Sequence, residues 1–191
     1  MNERHLQLCA SAEWAETVRR EILPWALDGR DLGDDALEVG PGPGMTTDVL
    51  RQTVTRLTAV EVDVELAAAL ARRLVGSNVE VVHADATSLP FAADRFSSAT
   101  SFTMLHHVPS RDQQDQLLAE VQRVLRPGAL FIGVDSIDSP DWRELHAGDT
   151  CVPVDPGTLA ERLTRAGFVD VDVQRATPEP ARRFRFSARA P

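Results

Sequence analysis

The chain has no lysine and no tyrosine; all 20 of its basic residues are arginine. Without lysine there is no Schiff-base nucleophile and no phosphate-binding loop of the G-K-[S/T] type. Cysteine is almost absent too. Cys9 and Cys151 stand far apart and fit neither a metal nor a redox spacing, so both are expected as reduced thiols in a cytoplasmic protein. No apolar run approaches the roughly 18 residues of a membrane helix. The N-terminal MNERHLQLCASAEWAETVRREI carries charge throughout and lacks the apolar centre of a signal peptide. Positive charge is short as well: the formal net charge is −9. That balance argues against a nucleic-acid partner, which would need a basic patch. Neither membrane nor nucleic acid is expected as a partner.

What is present reads as one globular domain of 191 residues, 43% hydrophobic and 26% charged. Leu6, Trp14, Val18, Ile22 and Leu23 fall at helical spacing, with Pro24 expected to interrupt or end that segment. Strands are predicted at 36–39, 57–62, 79–84, 96–105, 129–135, 169–174 and 183–190. Helices are predicted at about 44–53 and at 64–75, 111–125 and 155–168. Strands separated by helices imply an α/β fold with a doubly wound parallel sheet. The last two strands have only RATPEPARR between them, and so short a link favours an antiparallel hairpin. The expected sheet is therefore seven-stranded and mostly parallel.

Three glycines, Gly40, Gly42 and Gly44, alternate with prolines between the first strand and its helix. Glycine there lets the backbone pass close to a ligand, and the helix N-terminus behind it favours negative charge. The spacing is G-x-G-x-G, which leans away from the G-x-G-x-x-G of NAD enzymes. Glu61 ends the second strand, where a carboxylate can accept two hydrogen bonds from ribose hydroxyls. Asp85 and Ala86 end the third strand and can offer a carboxylate and an N–H to an adenine ring. An adenosine ligand follows.

The ordered series LEVGPGPG, AVEVD, VHADATSLPF, RFSSATSFTMLHHV and EVQRVLRPGALFIG resembles the motifs of class I S-adenosylmethionine-dependent methyltransferases. It is most similar to the small ubiquinone-biosynthesis and type-11 group, over about residues 34–135 and again at the end of the chain. The resemblance implies a Rossmann-like fold with S-adenosyl-L-methionine as cofactor. Glu38 stands where the family has an acid that organises the cofactor's amino group, and Gly40, Gly42 and Gly44 match the loop under its methionine part. Glu61, with Val62 beside it, matches the ribose site, and Asp85 and Ala86 match the adenine contacts. Ser101 and Phe102 match the stretch that meets the methionine amine. One departure is Ser97, where the family usually has aspartate. The (D/N)PP(Y/F) element of amino-directed nucleic-acid methyltransferases is missing after the fourth strand.

Methyl transfer from a sulfonium needs an acceptor atom held in line, water excluded and in some cases a proton removed. His106 is the expected base for a small-molecule acceptor methylated at oxygen. His107, Asp135, His146, His5 and Trp14 are weaker candidates for contacting that acceptor. Residues 1–30 are expected as a helical lid, 34–135 as the cofactor core, 138–156 as a variable loop and 157–191 as the closing helix and hairpin. No metal is expected, because no ligand spacing is present, although His146 and Asp149 with Asp135 or a histidine of 106–107 could in principle assemble a site for one. Methylation at carbon or nitrogen, and a non-catalytic adenosyl-binding protein, are the alternatives.

Overall fold

The computed structural model describes residues 2–178 and 182–191. The middle of the predicted link between the last two strands, residues 179–181, lies outside them. Seven described strands form one sheet: β1 (Asp35–Val39), β2 (Arg56–Glu61), β3 (Val79–His83), β4 (Phe96–Phe102), β5 (Leu125–Ser136), β6 (Val169–Arg175) and β7 (Arg183–Arg189). Their order is β3-β2-β1-β4-β5-β7-β6. The first five pair in parallel. β7 pairs antiparallel with both β5 and β6, the second pairing being the hairpin that the short link favours.

Alternation along the central strands divides the core. Leu37, Val39, Ala99 and Phe131 pack on one face with Leu117, Leu118 and Val121 of α6 (Arg111–Val124) and Leu159 and Leu163 of α8 (Pro156–Arg165). Ala36, Ile132 and Val134 face the other way, onto Leu50 of α4 (Met45–Leu50) and Val18, Ile22 and Leu23 of the N-terminal helices. α5 (Val64–Arg73) covers the outer strands through Leu70. Helices on both faces leave the carboxyl ends of β1, β2 and β4 open along one rim, where α/β sheets hold their ligands.

The N-terminal segment comprises α1 (Glu3–Cys9), α2 (Ala12–Thr17), a π-wound turn at Val18–Ile22 and α3 (Leu23–Leu27). Pro24 interrupts the regular winding but does not end the helix. The turn before it widens, with Leu23 N–H donating to Val18 O, and this absorbs the ring and the missing donor. Asp28, in the left-handed conformation, closes the segment.

Other boundaries shift for local reasons. β4 stops at Phe102, short of 105, because Thr103 takes φ +51 and Leu105–His107 winds into a 3-10 turn. β5 starts at Leu125, ahead of 129, because Leu125 pairs with Phe96. The 138–156 stretch contains a helix, α7 (Pro140–Leu145), whose N–H of Trp142 donates to the Ser139 hydroxyl. At the departure from the family pattern, the Ser97 hydroxyl accepts from Asp35 N–H at 3.0 Å and lies 2.8 Å from Leu32 O, securing the start of β1. No described helix is long and apolar enough to cross a membrane.

Candidate active site

A cavity of about 500 Å³ opens at the rim of β1, β2 and β4. Gly40, Gly42, Glu61, Val62, Asp85, Ala86 and Phe102 all line it. Gly40 has φ +68, and a Cβ there would lie 2.0 Å from Met104 Cγ, so only glycine fits. Glu61 ties the loop to its strand: Oε2 accepts Gly42 N–H at 2.9 Å and Oε1 accepts Asp63 N–H at 3.0 Å. Each oxygen retains capacity for a further donor. Asp85 Oδ1 accepts from the N–H and hydroxyl of Thr87, both at 2.8 Å, which leaves Oδ2 for a ligand. A volume of this size suits a small ligand with a diol and a heteroaromatic ring.

Glu38, Gly44 and Ser101 do not line that cavity; they stand behind it. Glu38 is fully buried, its Oε1 takes the Thr46 hydroxyl, and its Oε2 has no hydrogen-bond partner. Ser101 Oγ is likewise buried without one. Two unpartnered polar atoms under a glycine loop fit a ligand that brings its own ammonium group. Burial pushes the Glu38 carboxyl up to about 7 from 4.5, against the Thr46 hydrogen bond.

The sign of the resulting pH effect is fixed. The neutral acid favours the fold below about 4.5, and that contribution is lost as pH rises through about 7. Between pH 5 and pH 8 the loss is about 2 kcal/mol. Urea unfolding of Glu38→Gln is therefore expected to show a flatter pH profile by that amount. Equal slopes in variant and wild type would remove Glu38 as the cause.

A second cavity, of about 610 Å³, adjoins the first and shares Cys9, Trp14 and Thr103 with it. His106 and His146 line the second cavity, and His107 lines the first. His106 Nδ1 lies 2.5 Å from Asp135 Oδ1, and its backbone N–H donates to Asp135 Oδ2 at 3.2 Å. Asp135 lines neither cavity but fixes the proton of His106 on Nδ1. His146 Nδ1 donates to Trp142 O at 2.6 Å, and His107 Nδ1 to Thr150 O at 3.1 Å. Nε2 of His106 and Nε2 of His146 stand 3.2 Å apart, a contact that is a hydrogen bond only when one proton lies between them.

His5 reaches this group from α1, its ring centroid 4.4 Å from that of His146. Burial, then the neighbouring histidines, push His5 down to about 4 and His107 to about 3. His146 is lowered as well, chiefly by burial. These three rings are neutral at pH 7. Asn2 straps α1 down: its N–H donates to Asp149 at 3.0 Å and its side-chain amide to Leu145 O at 2.8 Å. The N-terminal helices and the 138–156 stretch thus close over the rim together. Cys9 and Cys151 are both free, their thiols pushed up to about 11 by burial.

Some contributors were not singled out by the sequence. Thr46 serves Glu38 one turn after the loop, and Met104 packs on Gly40. Trp142 carries the carbonyl that orients His146. Thr46 had a sequence signal, a hydroxyl in the first turn behind the glycines. Trp142 had none.

Comparison with known proteins adds a family. Residues 37–133 match the family described as methyltransferase domain. The demethylmenaquinone methyltransferase of Clavibacter sepedonicus is 33% identical over 121 residues, 62% of this chain and 45% of that protein. The fatty-acid O-methyltransferase of Mycolicibacterium smegmatis is 33% identical over 120 residues, 60% of this chain and 43% of that protein. The chain spans about half the length of the curated relatives it matches. In fold it resembles phosphoethanolamine N-methyltransferase 2 of Haemonchus contortus, solved with S-adenosyl-L-methionine. There the TM-score is 0.73 at 14% identity, covering 95% of this chain and 53% of that one.

Proposed function

Because this chain belongs to the methyltransferase-domain family, we propose that it transfers a methyl group from S-adenosyl-L-methionine to a small-molecule acceptor, at oxygen. The supporting observation is the pair of adjoining cavities with a common wall at Cys9, Trp14 and Thr103. One has the glycine loop and Glu61, and the other has His106 backed by Asp135.

S-adenosylmethionine, when bound, supplies an electrophilic methyl carbon on a sulfonium. The chain's own residues do the rest. Glu61 accepts from the ribose hydroxyls, and Asp85 and Ala86 face the adenine. Gly40 and Gly42 let the backbone approach the methionine part, with Gly44 closing the loop behind them; Val62 and Phe102 complete the walls, and Ser101 and Glu38, behind them, face the ammonium group. Asp135 keeps the Nδ1 proton of His106, so Nε2 is the atom that takes the proton of an acceptor hydroxyl. The Asp135 carboxylate then balances the imidazolium. The lid formed by residues 1–30, with His5 and Trp14, excludes water from the reacting oxygen. The reading at oxygen is in keeping with the fatty-acid O-methyltransferase among the relatives.

Two measurements test this. Calorimetry is expected to show one S-adenosylhomocysteine bound per chain and no heat with NAD; the reverse would overturn the cofactor assignment. Incubation with methyl-labelled S-adenosylmethionine and a small-molecule extract should place the label on oxygen, and His106→Ala should slow that transfer by about 100-fold or more. Label on carbon or nitrogen would refute the acceptor assignment.

A further inference from the structure

We propose that His5, His107 and His146 form a binding site for one divalent transition-metal ion of the zinc type. The three residues come from α1, from the 3-10 turn after β4 and from the end of α7. One ring nitrogen from each lies within 4.8 Å of the other two, the single such group among the described residues. A tetrahedral zinc site with Zn–N of about 2.1 Å sets its ligand nitrogens about 3.4 Å apart. Closing from the present spacing takes movements of about 1 Å.

The surroundings are those of ligands rather than of packed rings. His107 and His146 each donate Nδ1–H to a backbone carbonyl, of Thr150 and Trp142. That anchors the rings and turns both Nε2 atoms away from those carbonyls, the arrangement metal-ligating histidines adopt, with His146 Nε2 also 3.2 Å from His106 Nε2. His5 is nine-tenths buried and its Nδ1 has no hydrogen-bond partner. The Asp149 carboxylate stands 3.6 Å from that atom, so a carboxylate charge lies next to the site. The nitrogen thus lies near a carboxylate but beyond hydrogen-bond distance, where a cation could stand between the two. The all-nitrogen donor set suits zinc over magnesium or calcium, which take oxygen ligands.

Three histidines leave a fourth position open, as in catalytic zinc sites. His107 borders the first cavity and His146 the second, so the ion would stand at their junction. From there it would polarise an oxygen acceptor. That use rests on the function proposed above; the site does not.

The test uses the tag-free 191-residue chain stripped with a chelator. Equilibrated with micromolar zinc and desalted, it should retain one equivalent by elemental analysis. Cobalt should give the intense visible bands of a four-coordinate ion. His5→Ala and His107→Ala should each weaken binding by about 100-fold, while His83→Ala, on β3, leaves it unchanged. Should either cluster variant fail to fold, the wild type still decides: zinc should protect these three histidines from diethyl pyrocarbonate, read by peptide mass spectrometry. No retained zinc, unprotected histidines, or wild-type affinity in a folded His5→Ala would overturn the site. Binding of S-adenosylhomocysteine by the stripped protein is read separately, so loss of the cofactor reading and loss of the metal site are distinguishable.

Discussion

Glu61→Ala is expected to weaken S-adenosylhomocysteine binding by 100-fold or more. The side chain is buried, and each of its oxygens already holds a backbone N–H, one from the glycine loop and one from the start of α5. A charge-assisted hydrogen bond contributes about 1.5–3 kcal/mol, and the variant loses those to the ribose together with the anchor of Gly42. Three kcal/mol corresponds to roughly 100-fold in affinity. Glu61→Gln keeps one acceptor and should fall between alanine and wild type. Calorimetry on both variants, with melting curves to confirm folding, checks this. Affinity within a few-fold of wild type in Glu61→Ala would take Glu61 out of the site.

Gly133→Ala tests the sheet itself, and unfolding free energy should fall by about 3 kcal/mol. Gly133 lies in β5, between Ser101 of β4 and Phe186 of β7. An added Cβ would sit 2.3 Å from Phe186 Cζ and 2.5 Å from the Ser101 carbonyl oxygen. The oxygen belongs to a paired backbone and cannot retreat. The ring is held edge-on against Phe131, centroids 5.1 Å apart, and has no space behind it. Phe186→Leu in the same chain should return part of the loss, since the two changes share one contact. A drop under 1 kcal/mol by chemical denaturation would mean the contact is looser than described.

The parts legible in the sequence are those whose physics is local. The run from Asp35 to Glu61 opens on a short apolar stretch, breaks on glycine and resumes at helical period, and each change marks an element in the structure. Glu61, Asp85 and the loop glycines could be named because each sits at a strand end, and a strand end has a fixed place on the rim. Of the two outcomes left open for Pro24, interruption is the one found; what the sequence does not show is the compensating π turn ahead of it, which no periodicity reveals. The short α7 was hidden because six residues hold too few turns for a pattern. The sequence could group His146 with a histidine of 106–107, but not with His5. His5 reaches His107 and His146 where Asn2 fastens α1 to the segment around Asp149, a contact 147 residues apart in sequence.

The position of β7 bears on how the chain is made. β6 leaves the ribosome before β7, yet among the described residues β7 is its only neighbour in the sheet. Until β7 inserts, β6 has no partner, and β5 shows an open edge flanked by Phe131, Ile132 and Val134. Such edges recruit strands from other chains. Translation of this protein therefore passes through a window in which the edge of β5 is unprotected, and crowded expression should penalise it there before any defect of the finished fold.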